Sequence, residues 1–313
     1  MWDGISGTKQ LIVASTGGHL AQAVRWAERL SLSPESLFAT FDSQQSQSLL
    51  QSRPHIFIPY MAPRQFGTLL PTIRQLRRAA QSEFFDGVFS TGAGVALAAC
   101  VAAKTTGLSM TFMESVSRFD GPSVTGRVLQ HVPGIERLCQ HSSWAGGSWR
   151  YAGTLLEDFR PCDRLSSPES VQNVFVTLGT IQPYRFDALV DAVESCLTAG
   201  QSAIWQTGAT DRRDMAGSVA YMSTSEFERM VLNADVVITH AGVGTLLRML
   251  ELGVRPIVVP RRRDRGEHVD DHQQQVARAL GERDLIIYRE VADLCPDDLL
   301  AASRSGVTFV PRG

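Results

Sequence analysis

The chain has 313 residues, of which 43% are hydrophobic and 20% charged, with a formal net charge of -2. That balance fits a soluble globular protein of about two domains and excludes the broad basic field of a nucleic-acid binder. The 5 cysteines are scattered without zinc spacing, and the first seven residues are polar. A reducing cytoplasm without a signal peptide is therefore expected. No run of about 20 apolar residues exists to span a bilayer, so any membrane role is peripheral.

Residues 9–14 read as a first parallel strand, which breaks into Ser15, Thr16, Gly17, Gly18 and His19. Helical spacing follows as far as Leu30. Strand, glycine turn and helix in that order form the phosphate-binding type of βα junction, although the turn is not a GxGxxG fingerprint. Residues 37–41 and 55–58 are the next strands. Residues 63–78 set Phe66, Leu69, Leu70, Ile73 and Leu76 against Arg64, Arg74, Arg77 and Arg78. Such an amphipathic basic helix suits an anionic lipid surface, or a place on the sheet with a solvated basic face.

Residues 87–90 form a strand entering a second glycine turn at Thr91, Gly92, Ala93 and Gly94, and an apolar helix follows as far as Lys104. The strand at 109–113 ends in Glu114 and Ser115, where open α/β sheets place their sites. A loop and helix start at 121–126, a strand at 135–139 and an irregular stretch at 144–149 follow. Residues 153–172 carry Pro161 and Pro168 without periodicity and read as a linker. The expected division is a domain at 1–160, a linker at 161–170 and a domain at 171–313. Strands recur at 173–177, 202–206, 218–221, 235–239, 256–259 and 285–288, with helices between, including 186–197. These βα units predict an α/β protein of two doubly wound parallel sheets facing each other across a cleft.

The second half carries two more glycine turns, Gly179-Thr180 and Gly242-Val243-Gly244-Thr245, the latter preceded by His240. Bare peptide N–H groups at such helix starts take an anion; the plain alternative is a pair of tight turns. The loop after the strand at 256–259 carries Glu267, His268, Asp270, Asp271, His272 and Gln273. Carboxylate and amide groups together bind sugar hydroxyls. A metal site is the rival, but adjacent residues at a helix start point in different directions, and an Asp here also serves as an N-cap. Arg261, Arg262, Arg263 and Arg265 suit a phosphate, an acidic sugar or lipid headgroups, or make a solvated loop. Phosphate cradle and hydroxyl binders at neighbouring strand ends suit a nucleotide sugar, with the donor on the second half. A general base is then needed for the acceptor hydroxyl, and His19 and Glu114 are its two candidates.

These residues resemble a known family. Ser15 to His19, Phe89 to Gly94, Phe112 to Arg118 and Ser123 to Arg127 look like the acceptor half of the two-part UDP-sugar transferases. That group includes the eukaryotic enzyme adding the second N-acetylglucosamine to dolichyl diphosphate and the bacterial exopolysaccharide subunit pairs. Val174 to Thr180, Phe186-Asp187, His240 to Gly244, Pro260 to Arg262, Gly266 to His268 and Asp271 to Gln273 look like the donor half. More distantly, both halves resemble the transferase that makes lipid II.

The resemblance implies a GT-B fold, a natural fusion of two subunits, inversion at the anomeric carbon, and no cofactor or required metal. The implied partners are a UDP-sugar, a polyprenyl-diphosphate-linked acceptor and the inner leaflet of the cytoplasmic membrane, with no nucleic acid. It implies Gly17, Gly18, Gly92 and Arg118 for the acceptor. For the donor it implies Gly179, Thr180, Met222, His240, Gly242, Val243, Gly244, Thr245, Glu267, His268, Asp271 and Gln273. Where relatives hold the donor ribose with a Glu after the glycines, this sequence has Arg248, with Glu251 nearly a turn later. The function expected is transfer of a hexose or hexuronic acid in polysaccharide assembly. The alternatives are a UDP-sugar epimerase or hydrolase, and a non-catalytic nucleotide-sugar-binding subunit.

Overall fold

The computed structural model describes residues 3–61, 67–164, 170–180, 182–210, 212, 215, 217–268 and 272–310. Two compact units divide between Glu157 and Asp158. In the first, strands β1 (Gln10–Ala14), β2 (Leu37–Phe41), β3 (His55–Ile58), β4 (Gly87–Gly92), β5 (Ser109–Met113), β6 (Ile135–Cys139) and β7 (Arg150–Tyr151) form one sheet. The helices of this unit are α1 (Gly18–Arg29), α2 (Gln44–Leu49), α3 (Leu69–Ser82), α4 (Val95–Thr106) and α5 (Val124–Leu129). The strand order is β3-β2-β1-β4-β5-β6-β7 and every pairing is parallel.

The central strands are apolar runs because helices cover both sheet faces; all of β1 and all of β4 are buried. The core joins Leu11, Val13, Val88, Phe112 and the small residues of α4, among them Ala96, Ala99 and Ala103. Gly107, at φ +76, stops α4 in the left-handed conformation that suits glycine. Ser43 and Ser123 start α2 and α5 by accepting backbone N–H groups.

In the second unit β8 (Phe159–Asp163), β9 (Asn173–Thr177), β10 (Ser202–Gln206), β11 (Val236–Thr239), β12 (Ile257–Val258), β13 (Ile287–Tyr288) and β14 (Ser305–Phe309) alternate with α6 (Asp187–Cys196), α7 (Thr224–Asn233), α8 (Val243–Glu251), α9 (His272–Glu282) and α10 (Pro296–Arg304). The main sheet runs β10-β9-β11-β12-β13, all parallel, and β8 pairs antiparallel with β14. Val174, Val176, Ile238, Ile257 and Val259 meet Phe186, Leu189, Val190 and Val193 of the α6 region in its core.

Three expectations change. Residues 161–163 of the expected linker belong to β8, which pairs with the far end of the second unit; residues 165–169 lie outside the described residues. The strand expected at 218–221 reduces to a single parallel bridge between Gln206 and Val219. The basic helix begins at Leu69 rather than 63, and residues 62–66, with Arg64 and Phe66, lie outside the described residues.

Gln22 of α1 is buried and ties the first unit together below the loop after β5. Its amide nitrogen donates to Gly18 O (3.1 Å) and Ser115 Oγ (3.0 Å). Its oxygen accepts from Val116 N–H (2.8 Å) and Gln140 Nε2 (3.1 Å). Removing it strands buried polar partners, at a cost of about 1–3 kcal/mol each. We expect Gln22→Leu to lower unfolding free energy by about 2–4 kcal/mol in urea titrations, despite the apolar gain.

Candidate active site

In an open parallel sheet, ligands bind beyond the carboxyl ends of the strands where the strand order reverses. That switch point lies between β1 and β4 in the first unit and between β9 and β11 in the second. Both hold a histidine pressed against glycines.

At the first, Gly17 takes φ +84 and its N–H donates to Gln45 Oε1 at 2.7 Å. His19, in the first turn of α1, places Nδ1 2.7 Å from Thr91 O. The Thr91 hydroxyl returns a 2.7 Å bond to His19 O. Gly92, at φ +117, lies so close to the ring that a Cβ would sit 2.9 Å from it. A carbonyl only accepts, so Nδ1 carries the proton and Nε2 keeps the lone pair. Burial, with a smaller contribution from Arg118, holds the imidazole below its usual 6.5, against opposing effects of Thr91 and Glu114. His19 is therefore a neutral base near pH 7. The first turn of α1 begins here, and a helix start offers backbone N–H groups to an anion.

Glu114 has a different place. It is buried, with Oε1 accepting from Ser115 N–H (3.0 Å) and Oε2 from the N–H and hydroxyl of Ser123 (both 2.9 Å). The carboxylate closes the loop carrying Ser117 and Arg118 and anchors the start of α5. Of the two base candidates, Glu114 thus has both carboxylate oxygens engaged in holding the loop. Trp144 Nε1 secures that loop again, donating to Arg118 O at 2.7 Å.

At the second switch point, Gly179 (φ +79) follows β9, Gly208 (φ +59) follows β10, and His240 with Gly242 follows β11. A Cβ on Gly208 would collide with Gly179 O, and one on Gly179 would lie 2.5 Å from His240 Nε2. Gly242 caps α8, whose first turn is Val243, Gly244 and Thr245, all partly accessible. Thr180 is exposed and Met222 half-buried. His240 itself is 7% exposed. Burial, then the nearby Arg261 and His268, push its pKa down to about 3. It offers no positive charge to a ligand; attraction for an anion comes from the helix start.

Arg261 departs from the expectation of a basic loop open to phosphate or lipid, because it is completely buried. Its guanidinium donates to the carbonyls of Leu178, Tyr184 (2.8 Å) and Glu267 (3.1 Å) and lies over the Phe186 ring. Burial lowers its pKa to about 10. Gripping Leu178 fixes the peptide entering Gly179. Gln273 Oε1 accepts from Arg261 N–H (3.0 Å), and Glu267 Oε2 accepts from Arg262 N–H (2.8 Å). Both side chains, expected to meet sugar hydroxyls, are 6% exposed and brace this loop. His268 approaches Tyr184, with ring centroids 6.1 Å apart. Asp270 and Asp271 lie outside the described residues. Among the described residues no group of three His, Cys, Asp or Glu is placed to hold a metal.

Arg248 is clamped by two carboxylates, Glu228 on α7 (2.7 Å) and Glu251 (2.8 Å). The sequence singled out Arg248 but not Glu228, because the partner lies on the preceding helix. Nor did it single out Gln22 or Gly208, which act only through contacts with distant residues, and it named Thr91 only as part of a glycine turn.

Residues 173–301 match the glycosyltransferase family 28 C-terminal domain. That match lies within the second unit. Over 277 residues the chain is 26% identical to the UDP-N-acetylglucosamine–N-acetylmuramyl-(pentapeptide) pyrophosphoryl-undecaprenol N-acetylglucosamine transferase of Nostoc punctiforme, spanning 80% of this chain and 76% of that protein. It is 37% identical over 73 residues to the UDP-N-acetylglucosamine transferase subunit ALG13 of Cryptococcus neoformans, spanning 23% of this chain and 34% of the subunit. The crystal structure of Acinetobacter baumannii MurG superposes with a TM-score of 0.56 at 16% identity, covering 94% of this chain and 89% of that one. The fold is thus GT-B, as the residues led one to expect.

The pKa of His240 gives a stability test. The folded value, about 3, lies below the 6.5 of an unfolded histidine. Between those pH values the unfolded chain binds the extra proton, so stability is complete above pH 6.5 and falls as pH drops. The slope from this one group is about 1.4 kcal/mol per pH unit. Unfolding free energies measured from pH 7 to 4.5 should show it, and His240→Asn should remove that share of the slope.

Proposed function

We propose that the protein is an inverting glycosyltransferase, moving a sugar from a UDP-sugar to a polyprenyl-diphosphate-linked acceptor on the inner leaflet of the cytoplasmic membrane. The observation that carries this reading is the pair of histidine-and-glycine switch points, one in each unit. One presents a neutral base, and the other a helix start with glycine at Gly242 and Gly244. The UDP diphosphate lies on the N–H groups of Gly179-Thr180 and of Val243, Gly244 and Thr245, held without a metal. The nucleobase lies by Met222. The sugar lies by His268, Asp271 and the Gln273 amide.

In the first unit, the starts of α1 and α4, with Gly17, Gly18 and Gly92, take the acceptor diphosphate together with Arg118. The acceptor hydroxyl passes its proton to His19 Nε2 while its oxygen attacks the anomeric carbon. The bond from that carbon to the diphosphate breaks on the opposite side, and UDP leaves with the electron pair. Similarity to transferases whose names specify UDP-N-acetylglucosamine supports a UDP-linked donor, with N-acetylglucosamine standing beside hexoses and hexuronic acids as the sugar. The burial of Arg261 removes one reason to favour an acidic sugar.

No helix among the described residues is long and apolar enough to cross a membrane. A surface for lipid is offered by α3, where Arg74, Arg77 and Arg78 are exposed beside Leu70 (64% exposed). Thr72, Leu76 and Ala80 face the core.

The test is mass-spectrometric product analysis with a panel of UDP-sugars and a short-chain polyprenyl-diphosphate sugar. A glycosylated lipid plus UDP is expected; altered or hydrolysed UDP-sugar formed without acceptor would instead favour the epimerase or hydrolase reading. His19→Ala should lower kcat by about 10²–10⁴-fold while UDP affinity stays within about twofold, since the side chain is assigned to the acceptor hydroxyl. The wild-type rate should rise with pH through a midpoint below 6.5, as the imidazole loses its proton, and be level at pH 7–8. Replacing Arg74, Arg77 and Arg78 together by Glu should cut sedimentation with phosphatidylglycerol vesicles about tenfold or more, leaving UDP binding intact.

A further inference from the structure

Gly242 takes φ -75 and ψ 117, a conformation open to any residue. Its backbone therefore does not require glycine, and the reason for a glycine must be the space around it. A Cβ there would run into His240 Nε2, the nearest atom to it. A Cβ on Gly179 would meet the same Nε2, at 2.5 Å. The tip of the imidazole thus lies against two glycines, one after β9 and one after β11. It has little room to swing, being 7% exposed, with Nδ1 3.4 Å from the Thr239 hydroxyl.

We propose that His240 is a positioning residue, a spacer that sets the separation between the Gly179 turn and the start of α8, and that Gly242 is glycine to admit its ring. Because the imidazole stays uncharged, it fills the gap without a counter-ion. A smaller side chain lets the two turns close up, and any Cβ at 242 forces them apart. Either change moves two sets of N–H groups that must grip one diphosphate together. The inference rests on the donor reading only for what this spacing serves; the steric relation is independent of it.

The test is a double-mutant cycle read by calorimetric titration with UDP. Gly242→Ala alone should weaken UDP binding about 10–100-fold, the range expected of overpacking at a closed site. His240→Ala alone should weaken it about 3–10-fold, in the range of a modest local rearrangement. The double variant should bind within about threefold of His240→Ala, because the added methyl enters the vacated space. Gly179→Ala is the control: its φ of +79 is strained for alanine whatever stands opposite, so His240→Ala should not rescue it. Losses that multiply in the Gly242/His240 double variant overturn the proposal. Should the wild-type protein fail to bind UDP, the donor reading falls. The same cycle read in Tm then decides the spacer, with rescue supporting it and additive losses overturning it.

Discussion

A parallel sheet sends neighbouring helices to opposite faces where its strand order reverses, and backbone N–H groups are left facing the gap. The rest of this molecule depends on how that gap is kept open. Each unit solves the problem with an imidazole wedged at the reversal. His19 is drawn to the β4 junction by Thr91 and lies against Gly92; His240 lies between the β9 and β11 junctions. Both rings are kept uncharged by burial. Their exposed chemistry differs, since the first leaves a lone pair available and the second is enclosed.

Around these wedges the buried polar groups serve mainly to fix backbone. Glu114, Gln22 and Gln140 brace the loop after β5, and Arg261, Gln273 and Glu267 brace the loop after β12. In both units charge lies beneath the site, while the surface offered to a phosphate is mostly peptide. A grip of this kind depends on geometry more than on net charge, which agrees with the near-neutral composition. Arg248 follows the same rule, its charge answered by Glu228 and Glu251.

Much of the fold was legible in the sequence because buried parallel strands are short apolar runs bounded by turn residues, as at Leu37–Phe41 and Ser109–Met113. The glycine turns were legible for the same reason, since each interrupts an apolar run. What escaped was long-range. Four of the five residues of β8 are exposed and include Pro161, so nothing in their pattern reveals a partner more than a hundred residues away. Arg261 sits in a run of arginines that looks solvated, and only the converging carbonyls of Leu178, Tyr184 and Glu267 reveal its burial. The loop glutamate and glutamine were recognised as important, but residue type alone does not tell a ligand from a brace.

The pairing of β8 with β14 joins the opening segment of the second unit to its closing one. The second unit is therefore a ring in topology, sealed by its own first and last strands. A cut that spares this pairing falls ahead of Phe159, not in the proline-bearing stretch that follows. A chain separated there would keep its clasp, and a circularly permuted version joined across the clasp would need only a short bridge.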